Sequence, residues 1–397
     1  MHRLLTALAL TALLGAPARA QDPRIDSLAA EIRALRAKLD SLRARLDTTK
    51  RDSADALAAL RARARAAGRQ DTTPAAAPGR ERNLSQLNPE ISVTGDLRAF
   101  AQTDGPQTDN FRLQEVEIAF QSALDPYSHT KIFAALEDGA IDVEEAYFYY
   151  IGLPARLRLD VGVFRQQLGE LNRWHLHGVP EMDYPLVLTT YTGEEGLIGT
   201  GLSTYWAGSL LGTQELWGQV TVGSSATLFD GGNRPAFLGH LNNFWQLSDA
   251  TYLQIGATGM YGTNPDTALT TVLAGADFRL TWRPPARSRY REWTLRAEAY
   301  ALDKKRDGAG DARYGFYVGT QYKIGSRWWT GVRYDYVEAP EGPLGIIRQV
   351  VPSLTFWQSE WVRLHGEYRW RREAGVNTSQ FALQAVWSIG PHKHETY

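Results

Sequence analysis

The sequence predicts an all-β transmembrane barrel of about 16 antiparallel strands, preceded by an N-terminal α-helical coiled coil. The composition combines 18 Tyr, 12 Trp and 36 Gly with 3 Met and no Cys, which suits a β protein with aromatic girdles and many turns. From residue 91 onward, apolar and polar residues alternate with a period of two. The alternating segments are about 9 to 13 residues long, the length of a tilted strand that crosses a membrane.

Charge and motifs exclude several functions. The 397 residues have a formal net charge of −1 at pH 7, so the sequence indicates no nucleic-acid partner. The absence of Cys excludes a disulfide framework, thiol catalysis and thiolate metal sites. There is neither a G-x-S-x-G nor an H-E-x-x-H motif, so we expect no enzymatic activity and no cofactor. His365 and Glu367, on one face of a predicted strand, are where a catalytic pair would be sought.

Residues 1–20 have the pattern of a signal peptide. His2 and Arg3 precede an apolar run from Leu4 to Leu14, and Ala18-Arg19-Ala20 offers an A-x-A cleavage site. No later apolar run approaches the roughly 18 residues that a membrane-spanning helix requires. We therefore expect export of the chain, with no transmembrane helix in its mature part.

Residues 21–68 predict a periplasmic coiled-coil helix, and residues 69–90, rich in Pro, Ala and polar residues, predict a linker. Apolar residues in the helix are spaced alternately by three and four positions, with charged residues between them. A coiled coil requires partner chains, so this seam predicts a homo-oligomer, with a solitary amphipathic helix packed on the barrel as the alternative. The seam residues are Ile25, Leu28, Ile32, Leu35, Leu39, Leu42 and Leu46.

Strand and connection lengths favour a membrane barrel over a soluble β-sandwich, whose strands also alternate. Short connections alternate with longer ones along residues 91–397, as expected when turns lie on the periplasmic side and loops lie outside the cell. A tight turn at Asp138–Ala140 is an exception on the predicted loop side. The predicted strands begin near residues 91, 111, 128, 141, 155, 197, 215, 237, 250, 272, 290, 313, 327, 347, 360 and 379.

The longest connection in the barrel domain is residues 165–196, and long loops inside compact domains are usually functional. We expect this segment to fold inward and narrow the lumen. Its aromatic residues Trp174, Tyr184 and Tyr191 are expected to anchor the loop to the wall rather than to stack a flat solute. The loop also contains an H-x-H pair, and His392 and His394 form another, but neither has a matching second pair or a nearby Cys, so no metal site is predicted.

Three stretches resemble the phosphate-selective porin O/P family: residues 111–120 (FRLQEVEIAF), 143–150 (VEEAYFYY) and 152–165 (GLPARLRLDVGVFR). The resemblance implies a trimeric, sixteen-stranded outer-membrane channel, and a signal peptide and coiled coil also occur in that family. The stretch Arg165–Gly169 departs from the family pattern because it lacks the Pro and Phe that normally follow. The loop is also more acidic than basic, so phosphate specificity does not follow from the resemblance.

Alternation assigns nearly balanced positive and negative charges to the lumen. Opposite charges that face each other across a pore orient solutes, whereas rings of one sign select ions. We therefore predict passive diffusion of small hydrophilic solutes or ions, anions such as phosphate among them, with weak ion preference; pairing along the wall is the alternative role for each charge. The predicted pore-lining and constriction residues are Arg156, Arg158, Asp160, Arg165, Glu170, Arg173, Glu181, Asp183, Arg279, Arg333, Arg363, Glu367 and Arg369.

A structural role is the alternative function. The basic residues of the coiled coil, such as Arg33, Arg36 and Arg43, would meet an anionic cell-wall polymer if the helix tethers the outer membrane to the wall. Solvated coiled-coil flanks explain the same charges. The two roles are compatible, and in both of them the barrel contacts outer-membrane lipids.

Overall fold

The computed structural model describes residues 36–38, 41, 89–102, 111–137, 139–210, 212–266, 269–305, 312–341 and 345–390. The chain divides into two units, Met1–Glu81 and Arg82–Tyr397. In the first unit, residues 36–38 and 41 are helical, and the signal peptide, all seven seam residues and most of the linker lie outside the described residues. Oligomerisation and tethering through the coiled coil therefore stay predictions. No helix in the described part of the chain has both the length and the apolarity to cross a bilayer.

In the second unit, the described residues form sixteen antiparallel strands. Each strand pairs with its neighbours in sequence, and β1 pairs with β16, which closes the sheet into a barrel. The strands are β1 (Glu90–Gln102), β2 (Phe111–Ala123), β3 (Ser128–Glu137), β4 (Ala140–Tyr150), β5 (Arg158–Arg165), β6 (Ile198–Gly208), β7 (Thr213–Val222), β8 (Pro235–Ser248), β9 (Thr251–Thr263), β10 (Thr270–Trp282), β11 (Trp293–Lys304), β12 (Arg313–Lys323), β13 (Trp328–Glu338), β14 (Ile346–Trp357), β15 (Val362–Glu373) and β16 (Val376–Ile389). Two short helices lie in connections, α1 (Leu186–Thr192) and α2 (Ala226–Phe229).

The predicted fold class of the barrel is confirmed, and every predicted strand start lies within three residues of the observed one. One end of the barrel, the turn side, carries mostly short connections such as residues 124–127 and 249–250. The other end, the loop side, carries most of the long ones. The connection 283–292 is long for the turn side, and Ala374-Gly375 forms a tight turn on the loop side.

The barrel is apolar outside and largely polar inside, the reverse of a soluble domain. On β10, for example, the outward side chain of Val272 is 41% exposed. Carboxylates such as Asp96, Glu117 and Asp335 are fully buried inside the barrel. Aromatic side chains near the turn-side strand ends, among them Trp282 and Trp361, are exposed as expected for an interfacial girdle. A surface of this kind is suited to a lipid bilayer.

Candidate functional site

The connection between β5 and β6, residues 166–197, lies inside the barrel and is called the inward loop. It contains two 3₁₀ turns, Leu171–Arg173 and Leu176–Gly178, followed by α1. Apolar side chains of the loop pack in one buried cluster with α2 and the inner faces of β8 to β14. This cluster includes Leu171, Tyr184, Val187, Tyr191, Leu228, Phe229, Leu238, Leu273, Tyr317 and Val337. The loop is therefore part of the packed interior of the barrel.

Arginines of β13 and β15 hold the middle of the loop. Arg333 is 2% exposed, and its guanidinium lies 3.1 Å from the Glu181 carboxylate and 2.9 Å from Asp335. It also donates a hydrogen bond to the Asp183 carbonyl at 2.9 Å. Arg363 donates to the carbonyl oxygen of Val179 at 3.0 Å. These contacts fix loop backbone and side chains to one side of the wall.

Asp183 joins two strands on either side of β16. Its carboxylate lies 2.7 Å from Arg98 on β1 and 2.7 Å from Arg369 on β15. Glu367 on β15 pairs with Arg369 at 2.5 Å and accepts the backbone N–H of Met182 at 3.2 Å. Ion pairs and a hydrogen bond therefore connect this part of the loop to β1 and β15.

Glu298 on β11 binds the start of the loop. It accepts hydrogen bonds from the backbone N–H groups of Glu170 at 3.1 Å and Leu171 at 2.9 Å. Gly169 has φ +60°, and a Cβ there would meet the Tyr300 hydroxyl at 2.2 Å, so only glycine permits this close approach. The carboxylate of Glu170 in turn pairs with Arg279 at 2.6 Å.

Aromatic residues of the loop serve as anchors, as predicted. Tyr184 is buried, and its hydroxyl donates to the carbonyl oxygen of Trp174 and contacts Arg165, which is the last residue of β5. Burial raises the pKa of Tyr184 to about 12, so the hydroxyl keeps its proton. The ring of Trp174 receives the guanidinium of Arg296 at 5.4 Å.

Two loop histidines meet carboxylates on β2 and β4. Nδ1 of His175 lies 2.6 Å from Glu117 and 2.9 Å from Glu144, and Nδ1 of His177 lies 2.7 Å from Glu115. Burial alone would lower the pKa of His175, but the charges of Glu117 and Glu144 raise it well above its usual value. The pKa of His177 is also raised, because Glu117 and Glu115 outweigh its burial. In this field each imidazole favours a positive charge.

Side-chain contacts of the inward loop reach strands all around the barrel. Hydrogen bonds or ion pairs connect the loop to β1, β2, β4, β5, β7, β9, β10, β11, β13 and β15. The contacts of the inward loop therefore span the interior of the barrel.

Two cavities lie on either side of the inward loop. The loop-side cavity has a volume of about 400 Å³ and is lined by Arg112, Glu137 and Glu195, among others. The turn-side cavity, of about 40 Å³, is lined by Lys131, Glu145, Arg158, Trp217 and others. Arg165 lines both cavities, so it lies between them.

Arginines in the loop-side cavity are ion-paired, whereas several carboxylates are not. Arg112 pairs with Glu137 at 2.7 Å, and Arg98 and Arg369 share Asp183. In the described part of the chain, the exposed residues Asp142, Glu194 and Glu195 form no ion pair. Burial and the neighbouring Asp142 raise the pKa of Glu195, as expected for crowded carboxylates. The loop-side cavity thus has an unneutralised negative edge.

The structure brings most of the predicted site residues together. Glu170 meets Arg279, Glu181 meets Arg333, and Asp183 meets Arg369. Arg158 and Asp160 pair at 2.6 Å on the inner face of β5, Arg173 lines the turn-side cavity, and Arg363 and Glu367 bind the loop backbone. The placement of Arg156 requires a correction. Alternation predicts that Arg156 lies in a strand beginning near residue 155, but β5 begins at Arg158. Ala155 and Arg156 have positive φ, so residues Pro154–Arg156 form a turn, and the side chain of Arg156 is exposed there.

Alternation did not identify Glu144 as an inward residue. The pairing of β3 with β4 shifts register between Phe133 and Ala134, which leaves Glu144 as an extra, bulged residue. Glu144 and Glu145 are consecutive, yet both are buried. A β-bulge has no simple sequence signal in this stretch, so the carboxylate cluster around the loop histidines could not be foreseen.

No protein-family model matches the sequence. The chain is 25% identical over 335 residues to an uncharacterized protein of Aquifex aeolicus, covering 71% of this chain and 69% of the relative. A similar solved structure is an anion-selective porin from Comamonas acidovorans, with 7% identity and a TM-score of 0.56 over 76% of this chain and 99% of the porin. Pseudomonas putida OprB is similar at 9% identity and a TM-score of 0.54, over 77% of this chain and 95% of OprB.

The outer-membrane channel DcaP of Acinetobacter baumannii is also similar, at 13% identity and a TM-score of 0.51, over 76% of this chain and 97% of DcaP. At these identities the comparisons define the fold. The chain has the closed antiparallel barrel of outer-membrane porins. Membership of the phosphate-selective porin O/P family stays a prediction.

Proposed function

We propose that the protein is an outer-membrane porin through which small hydrophilic solutes or ions diffuse passively. The observation that carries this proposal is the inward loop, which crosses a closed barrel with an apolar exterior and leaves charged cavities on both of its sides. Charged cavities on both sides of a loop are what a size-limiting constriction in a pore requires, whereas an enzyme active site does not require them. The structural neighbours include an anion-selective porin and an outer-membrane channel, which supports the same function.

The proposal includes assembly and location. A homotrimer in the outer membrane, in contact with its lipids, is the arrangement that the family resemblance favours, and the coiled-coil seam favours a homo-oligomer. One structural neighbour is described as the trimer form of OmpT from Vibrio cholerae. The N-terminal helix would then lie in the periplasm.

A weak cation preference fits the charges better than anion selectivity. The arginines that face the loop-side cavity are held in ion pairs, so their fields are largely cancelled, while Asp142, Glu194 and Glu195 keep uncompensated charge. Phosphate among other small anions would pass as a minor permeant. This arrangement does not provide the ring of free cations that strong anion selection needs.

Planar-bilayer recording of the purified mature protein tests the proposed function. We expect stable single-channel steps, and a small reversal potential under a KCl gradient. A liposome-swelling assay with sugars of increasing size then measures the size limit. Folding is verified beforehand by circular dichroism, and folded protein that gives neither steps nor swelling would refute the porin function.

The double variant Glu194→Gln/Glu195→Gln tests the ion preference. We expect its reversal potential to shift toward anions in dilute salt, because two uncompensated charges leave the loop-side cavity. The shift should vanish in 1 M salt, where the Debye length falls to about 3 Å. The matched control is Asp249→Asn/Glu360→Gln, which removes two exposed charges in turn-side connections. Equal shifts in both double variants would contradict a role for the cavity edge.

A further inference from the structure

Two carboxylates from different strands converge on one imidazole nitrogen where the inward loop meets the wall. Nδ1 of His175 lies 2.6 Å from Glu117 Oε2 on β2 and 2.9 Å from Glu144 Oε2 on β4. One donor atom from each of the three residues lies within 4.8 Å of the others, and all three side chains are buried. Donor atoms grouped this closely can become ligands of one small cation after each moves outward by less than about 1 Å, because ligands lie about 2.0 to 2.2 Å from Zn²⁺.

The surroundings of these donors resemble the outer sphere of a metal site. The other ring nitrogen of His175 faces the carboxylate of Glu145, with Nε2 and Oε2 3.6 Å apart. Metal-bound histidines usually have such an acceptor, which orients the ring and raises its basicity. Arg165 donates to Glu144 at 2.5 Å and orients that carboxylate in turn. The positions of the donors are therefore fixed by neighbouring groups.

The charge of the cluster also favours a divalent cation. Four carboxylates lie here, those of Glu115, Glu117, Glu144 and Glu145. Two basic side chains lie beside them, Arg165 and Lys131. Four carboxylates against two basic side chains leave an excess of negative charge in a buried place, where uncompensated charge is costly. Either protons on the histidines or one divalent ion can balance this excess.

We propose that Glu117, Glu144 and His175 form a binding site for a divalent transition-metal cation that fastens the inward loop to β2 and β4. One imidazole and two carboxylates suit Zn²⁺, Mn²⁺ or Co²⁺ better than Ca²⁺, which prefers oxygen ligands alone. Glu144 lines the loop-side cavity and His175 lines the turn-side cavity, so the ion would sit between the two. It would hold the constriction in place.

Titration of chelator-treated, folded full-length protein with Co²⁺ and Zn²⁺ tests this site. All variants carry His392→Gln and His394→Gln, because the H-x-H of the tail would compete for metal. We expect saturable binding of one ion per chain, with Co²⁺ absorption bands in the visible range that Zn²⁺ displaces. Glu117→Gln and His175→Gln should each weaken binding more than about 100-fold, since loss of an outer partner alone costs 10 to 100-fold.

The matched control is His365→Gln, which alters another buried histidine beside a carboxylate, here Glu367 at 3.1 Å. It should bind Co²⁺ as the parent does. If Glu117→Gln or His175→Gln does not fold, thermal unfolding of the parent protein tests the site instead. We expect Zn²⁺ to raise the midpoint temperature of unfolding and a chelator to reverse the rise.

Two outcomes would overturn the site. One is the absence of one-to-one binding by the folded parent, which would mean that protons on His175 and His177 alone neutralise the carboxylates. The other is equal metal affinity in the control and in folded His175→Gln. Binding is measured without channel recording, so this failure would be distinguishable from failure of the porin function.

Discussion

Replacing Arg333 with alanine is expected to lower the free energy of unfolding by about 3 to 5 kcal/mol, the usual cost of removing one partner from a buried ion pair. Arg333 is buried against two carboxylates, those of Asp335 at 2.9 Å and Glu181 at 3.1 Å. Both carboxylates are themselves buried and would lose their nearest cation. The substitution would also remove the hydrogen bond to the Asp183 carbonyl, so the middle of the inward loop would lose both of its contacts with Arg333.

Urea unfolding of the protein in lipid vesicles, followed by tryptophan fluorescence, measures this loss. Arg371→Ala is the matched control, because Arg371 also pairs with a carboxylate, Glu373 at 2.7 Å, but the two side chains are 37% and 53% exposed. An exposed pair of this kind contributes about 1 kcal/mol or less. If Arg333→Ala destabilised no more than Arg371→Ala, the inward loop would not depend on its buried ion pairs.

The strands were predictable because apolar residues that face lipid alternate with polar residues that face the lumen along each strand of a membrane barrel. Alternation in β15 places Arg363, Glu367 and Arg369 on the inner face, and all three contact the inward loop. Strand ends were less certain, because a turn such as Pro154–Arg156 continues the alternation of the strand that follows it. The length of the segment 165–196 made it the candidate for an inserted loop, but length alone did not show whether the segment enters the lumen.

The partners of the inward loop were not predictable. The loop has no period, and its ion pairs join residues far apart in sequence, such as Glu181 with Arg333 and Asp183 with Arg98. Each such contact depends on the shear of the whole barrel and on local bulges. Alternation therefore predicted that charged side chains line the lumen, but it did not show that most of the arginines are held in ion pairs.

Shortening the inward loop should increase single-channel conductance several-fold, because a sixteen-stranded barrel without an inserted loop encloses an open aqueous channel. The design is feasible because Arg165 and Ile198 are directly paired across β5 and β6, so a four-residue turn can replace residues 166–197. The wall charges that the loop now covers, such as Glu298 and Arg333, would be hydrated by the widened channel. The size limit in liposome swelling should rise together with the conductance.

The matched control shortens the connection 283–292 at the opposite end, where Trp282 and Trp293 are likewise paired across β10 and β11. This connection is on the turn side and has mostly exposed or half-exposed residues, so its removal should leave conductance unchanged. Unchanged conductance after loss of the inward loop, in protein that still forms a closed barrel, would mean that another element limits passage. A rise in both variants would indicate that any shortened connection loosens the barrel. Only a rise confined to the inward-loop variant assigns the constriction to residues 166–197.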